Sequence, residues 1–252
     1  MGAKVGNITA TLHFILKVMY LCPGIITIIQ QYFELMRLPS LCSLLLFAAS
    51  ISILGSCKPD KKLPIFGMRD TKTVTLADGT TQVDTVYQTI PNFSFLNQDS
   101  TYITNATFKD KIYVADFFFT SCPSICPIMH RNMKKVYEEY KSNPDVGFLS
   151  HTIDFKYDKP SVLKRYASKL GVDDKKWQFA YGSKEEIYTI AEKSYLVSAI
   201  IDSTQKGMYV HQGWLVLIDK DRRARGYYDG TDEKAVEQLA KDIPVLLAEY
   251  KQ

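Results

Sequence analysis

Cys122 and Cys126 stand four positions apart in Thr120-Ser121-Cys122-Pro123-Ser124-Ile125-Cys126-Pro127, where the apolar run 111–120 (KIYVADFFFT) ends. If a strand hands over to a helix here, the helix start offers unpaired N–H groups and a partial positive charge, which favour thiolate over thiol. Residues four apart on a helical turn share a face, with Cβ atoms about 5–6 Å apart. Bridged cysteines have Cα atoms about 4.4–6.8 Å apart, so this pair can close a disulfide with little backbone movement. The same two sulfurs can instead hold one soft metal ion. The bland alternative is a pair of buried structural cysteines, but strand-end placement with a proline after each is too particular for filler.

The third ligand decides the metal. Two thiolates and one imidazole suit copper, since sulfur holds Cu(I) and nitrogen helps accommodate Cu(II). A structural zinc site wants four protein ligands, and after Cys57 the chain has no second cysteine pair. Three histidines follow the anchor region: His130, His151 and His211. The span from Cys122 to His130 is about 12 Å along a helix axis, too long for one shared ion, so His130 is expected to be solvated or partner-facing. His151, inside an apolar run, is expected as a hydrogen-bonded core or edge histidine.

The elements that must position these groups follow from periodicity. Residues 73–76 and 81–86 alternate around Asp78-Gly79, a strong hairpin signal. The run 111–120 is read as a buried strand, and Met129, Met133, Val136, Tyr137 and Tyr140 recur at helical spacing until Asn143-Pro144. A strand over 146–153 precedes a helix over 160–170 with Gly171 as its stop, and Ser183 with Glu186 opens a third helix as a capping box. Residues 208–219 and 223–228 read as an antiparallel pair, and 232–250 as a closing helix bent at Pro244. Strands separated by helices predict an α/β three-layer sandwich with a mixed sheet and an added N-terminal hairpin. In a thioredoxin-like sheet of this kind, the loop entering the strand 215–219 packs beside the cysteine turn. His211 is therefore the favoured third ligand.

The cysteine motif, the later Asp154-Phe155-Lys156-Tyr157-Asp158-Lys159-Pro160, and His211 before an apolar strand ending at Asp219 together resemble the Sco/SenC family. The similarity runs over about residues 88–250. These are membrane-tethered thioredoxin-fold proteins of cytochrome c oxidase assembly. The resemblance implies copper, Cu(I) or Cu(II), held by Cys122, Cys126 and His211 and delivered to the copper-accepting subunit of the oxidase at its dinuclear site. The family's other assigned activity is dithiol reduction of that acceptor. Two departures stand out: Ser124 replaces a frequent aspartate, and Asp154-Phe155 replaces the usual Asp-Pro. Asp154 and Asp158 are weighed evenly between helix caps and partner docking. Two readings of the function stay open: a metallochaperone without turnover, and a thiol–disulfide oxidoreductase of the cell envelope that transfers no copper. The absence of proline from 203–213, where such an oxidoreductase usually has a cis-proline loop, favours copper.

The front of the chain reads as an address. From Met36-Arg37 an apolar stretch runs to Leu54-Gly55-Ser56-Cys57, which resembles the bacterial lipobox, with Cys57 lipidated as the mature N-terminus. Residues 1–35 then precede the true start, 36–56 are a signal peptide, 57–70 a tether, and 71–252 the domain. The expected location is the bacterial cell envelope, lipid-anchored and facing the periplasm. Lys+Arg 31 against Asp+Glu 27 gives a net charge of +4 with no single locus, so no nucleic-acid partner is expected.

Overall fold

The structure, a computed structural model, describes residues 62–251 apart from 174, 198, 203–207 and 212; of 199–202 and 208–211 it describes the backbone alone. The turn at Gly79 (φ +83°), a backbone region that suits glycine, closes a hairpin of β1 (Arg69–Thr75) and β2 (Thr81–Tyr87). A small pair, β3 (Ser94–Leu96) and β4 (Tyr102–Thr104), precedes β5 (Ile112–Phe118), whose seven residues are all buried. Then come α1 (Ile125–Tyr140), β6 (Val146–Thr152), α2 (Pro160–Leu170) and β7 (Trp177–Ala180). After α3 (Lys184–Ile190) and one π turn (Ala191–Tyr195) follow β8 (Ala199–Asp202), β9 (Met208–His211), β10 (Trp214–Ile218), β11 (Ala224–Asp229) and α4 (Glu233–Ala248).

The central sheet has the order β11-β10-β5-β6-β7, with β5, β6 and β7 parallel and β10 antiparallel to both its neighbours. Alternation along each strand sorts its side chains between two faces. One face carries α1 and α2, seen where His130 and Tyr166 meet, and α4, where Tyr140 of α1 donates to the Ala240 carbonyl at 3.0 Å. The opposite face carries the π turn, where Tyr113 and Tyr195 pair their hydroxyls at 3.2 Å, and β3. The core between these layers includes fully buried Phe118, Phe148, Trp177 and Tyr195. A large apolar side chain contributes roughly 1.5–3 kcal/mol when fully buried.

Local chemistry explains the helix limits. Pro160 begins α2, and Gly171 (φ 68°) ends it in the left-handed conformation. The expected capping box is present: Ser183 accepts from the Glu186 N–H, and Glu186 accepts from the Ser183 N–H. One expected strand divides. Residues 208–219 do not run as a single element: β9 pairs back onto β8, and β10 pairs with β5 and β11. The break falls at Gly213, whose carbonyl accepts from the Gly230 N–H at 2.7 Å. Gly230 is confined by close approach, since a Cβ there would lie 2.6 Å from Met129 Cγ. The stretch 57–70 is also not tether throughout. Leu63 is buried, its N–H donates to Glu249 at 2.8 Å, and Arg225 holds its carbonyl at 2.6 Å and that of Pro64 at 2.9 Å.

His151 departs from expectation differently. It is buried in β6, but neither ring nitrogen has a hydrogen-bond partner. Phe117 stacks on it at 4.8 Å, and Phe93, Phe95 and Tyr195 meet it edge-on. Burial therefore lowers its pKa from the ordinary 6.5 to about 4. Between those values the unfolded chain takes up a proton that the folded chain refuses. Stability is full above pH 6.5 and falls as pH drops, by about 3 kcal/mol once pH is below the folded value. Urea unfolding across this range should show the slope, and His151→Phe should flatten it; an unchanged slope in that variant contradicts the assignment.

Candidate functional site: a cysteine pair at the start of α1

The two cysteines straddle the helix boundary. Cys122 lies in the turn after β5, where its N–H donates to the Phe119 carbonyl at 3.2 Å, and Cys126 lies in the first turn of α1. They are not joined by a disulfide. Ser124 occupies the N-cap without a side-chain cap bond, so the helix start keeps its N–H groups for the sulfur: the Cys126 N–H points to Cys122 Sγ at 3.5 Å. The Ser124 hydroxyl lies 3.9 Å from the same sulfur.

These contacts separate the two thiols. Burial pushes the Cys122 pKa up, but bonds from the Cys126 thiol, the 126 and 124 backbone N–H groups and the Ser124 hydroxyl outweigh it and hold Cys122 below the ordinary thiol value. Burial, then the bond to Cys122, pushes Cys126 above the ordinary range. Of the two, Cys122 therefore ionises first, with Cys126 as the protonated partner. Such a pair can attack and then resolve a disulfide, or offer two sulfurs to one soft ion.

The two acidic residues neither cap α2 nor offer a docking surface. The N-cap of α2 is Lys159, without a side-chain cap bond, and both carboxylates are buried. Asp158 accepts from the Thr120 N–H at 2.8 Å, the Thr120 hydroxyl, and the Thr152 hydroxyl at 2.6 Å. It thus ties the cysteine turn to the end of β6. Burial raises its pKa despite these bonds. Asp154 closes its own loop, accepting from the Lys156 and Tyr157 N–H groups at 3.2 Å each.

His130 is not solvated. It is fully buried, with Nε2 bonded to Asp116 at 2.9 Å and Nδ1 to the Tyr166 hydroxyl at 2.8 Å. Asp116 also accepts from the Ser150 hydroxyl, which in turn accepts from Trp177 Nε1 at 2.8 Å. This five-residue chain lies beneath the face that α1 covers. Its signal in the sequence was Asp116 itself: a carboxylate inside KIYVADFFFT must find a buried partner.

His211 ends β9, its backbone paired with Ala199, and its side chain lies outside the described residues, as does Cys57 altogether. Two residues on, the chain at Gly213 passes against the start of α1; a Cβ there would lie 3.7 Å from Ile125 Cδ1. Among the described residues no group of three His, Cys, Asp or Glu side chains could hold a metal ion. Among them, too, no helix is long and apolar enough to cross a membrane.

A mixed sheet with a cysteine pair between its first long strand and the following helix defines a thioredoxin-like protein. The SCO1/SenC sequence family matches residues 81–248, and the chain belongs to that family. A SCO1/SenC family lipoprotein from Bacillus anthracis is 30% identical, with a TM-score of 0.59 over 64% of this chain and 95% of that one. BsSco, described as a member of the Sco family of cytochrome c oxidase assembly proteins and bearing a disulfide switch, is 29% identical, with a TM-score of 0.56 over 64% of this chain and 94% of that one. ScoI of Bradyrhizobium japonicum, solved with copper bound, is 25% identical, with a TM-score of 0.50 over 60% of this chain and 97% of that one.

Proposed function

We propose that this chain is a membrane-tethered copper metallochaperone that binds one copper through Cys122, Cys126 and His211. It delivers the ion to the dinuclear copper site of cytochrome c oxidase on the periplasmic side, anchored by a lipid on Cys57. The observation that carries the reading is the unequal cysteine pair at the start of α1, with the chain two residues beyond His211 passing against Ile125. The donor set fits copper: two sulfurs suffice for Cu(I), and an imidazole adds the nitrogen that Cu(II) prefers. Copper bound to the Bradyrhizobium relative, and the oxidase-assembly role given for BsSco, support it. Delivery proceeds by ligand exchange, with the ion passing stepwise to acceptor thiolates.

The asymmetry of the pair also favours a second reading, a dithiol reductant. The Cys122 thiolate attacks an acceptor disulfide and releases one acceptor thiolate; Cys126 then loses its proton and attacks Cys122, releasing the second. The acceptor gains two electrons and the pair becomes a disulfide. His211→Ala separates the readings, because it should strip Cu(II) far more than Cu(I) yet leave the dithiol couple working. In cells carrying only this change, oxidase activity should fall along with copper content. Normal oxidase assembly with copper binding lost would replace the chaperone reading with the reductant.

A further inference from the structure

Strand register gives the domain two poles. β5, β6 and β11 run toward the cysteine turn, whereas β10, with Ile218 opposite Tyr113, returns to the far end. At that far end Lys111, Lys141, Lys175 and Lys176 line one cleft of about 460 Å³, in which Asp173 is the single lining carboxylate among the described residues. Asp173 is already engaged by the Lys175 N–H at 2.7 Å. Lys141 has Glu138 at 2.7 Å, whereas Lys111 and Lys176 donate to the carbonyls of Thr107 and Asn143. Burial, then the charge of Lys111, lowers the pKa of Lys176, and Asp145 and Asp173 offset this only in part.

The chain also enters the domain at this pole. Arg225 grips the Leu63 and Pro64 carbonyls while it pairs with Asp219, the residue that follows β10, at 3.1 Å. Cys57 lies six residues before Leu63, a reach of at most about 20 Å. A lipid on Cys57 therefore ties this pole to the membrane more closely than it ties the cysteines. The seven residues of β5 hold the two poles about 20 Å apart.

We infer that the lysine cleft rests on the membrane that anchors the chain and takes the phosphates of anionic lipid headgroups, so that the cysteine turn faces the aqueous side. Each cation close to an anionic surface strengthens the contact by roughly fivefold. The inference rests on the membrane attachment proposed above but not on copper.

Mass spectrometry of the full-length protein extracted from membranes should first find acylated Cys57; an uncut peptide across residues 50–60 overturns the inference. The extracted protein is then returned to phosphatidylcholine vesicles with and without phosphatidylglycerol, and backbone hydrogen exchange is followed. Exchange over 107–111 and 173–176 should slow only in the anionic vesicles, and the slowing should be lost at high salt and in Lys111→Gln/Lys175→Gln. Copper content should be the same in that variant, so failure of the copper reading and failure of this one are separable. Equal exchange in both vesicles, slowing over 120–126 instead, or the same slowing from inorganic phosphate with neutral vesicles would each overturn it.

Discussion

Replacing His130 by alanine should destabilise the protein by about 3–5 kcal/mol, the combined cost of leaving a buried hydrogen-bonded carboxylate without its partner and of opening a cavity. Asp116 is fully buried, and its Oδ2 would lose the His130 contact at 2.9 Å while Oδ1 keeps only the Ser150 hydroxyl. Tyr166 loses its 2.8 Å contact at the same time. The imidazole also packs against Phe118 at 4.7 Å and Trp177 at 5.6 Å, so truncation opens a cavity next to them. For a domain of this size the loss corresponds to a fall of about 10 °C in Tm. His130→Gln, which can still donate to Asp116, should recover part of it. Thermal and urea unfolding read both; a loss below about 1 kcal/mol would mean that the chain of bonds contributes little beyond packing.

The second large effect concerns reactivity. Iodoacetamide at neutral pH should label Cys122 and spare Cys126, at rates that differ on the order of a hundredfold or more. The thiolate is the nucleophile, and each unit of pKa changes its population about tenfold. Cys122 is held below the ordinary value by the bonds it accepts, whereas Cys126 is pushed above it by burial. Exposure acts in the same direction, at 7% for Cys122 and 1% for Cys126. Peptide mapping after short labelling reads the ratio. Equal labelling would remove the division into attacking and resolving thiols. Ser124→Ala, which deletes one donor near the sulfur, should slow Cys122 modestly.

Much of this architecture was legible because it rests on local rules. Pro160 and Gly171 delimit α2, Ser183 and Glu186 cap α3, and Asp78-Gly79 turns the hairpin. The apolar run at 111–120 marks the central strand. β3, β4, β7 and β8 are three or four residues long, too short for periodicity to register, and they are defined by distant partners. The split between β9 and β10 has the same origin, since each half pairs with a different strand. At the site, spacing arithmetic set His130 apart from any ion shared by both cysteines, and the structure gives its two ring nitrogens to Asp116 and Tyr166. Exposure was misjudged because the partners of His130, Asp116 and Tyr166, lie on other elements. By sequence position Asp158 was weighed between a cap and a docking residue, yet it reaches back to Thr120, 38 residues earlier. His151 shows that a histidine in a buried strand can be held by aromatic rings alone.

The central claim is that Cys122 and Cys126 hold copper, and metal content tests it most directly. The full-length protein, purified from membranes, is loaded with Cu(I) under anaerobic conditions and separately with Cu(II), then desalted against a competing thiol and its copper measured. The wild type should retain one copper per chain with an absorption band from thiolate-to-Cu(II) charge transfer. The Cys122→Ser/Cys126→Ser variant should retain neither copper nor band, because an imidazole alone cannot compete with thiols for the soft ion. Equal copper in the wild type and the double variant would contradict the claim.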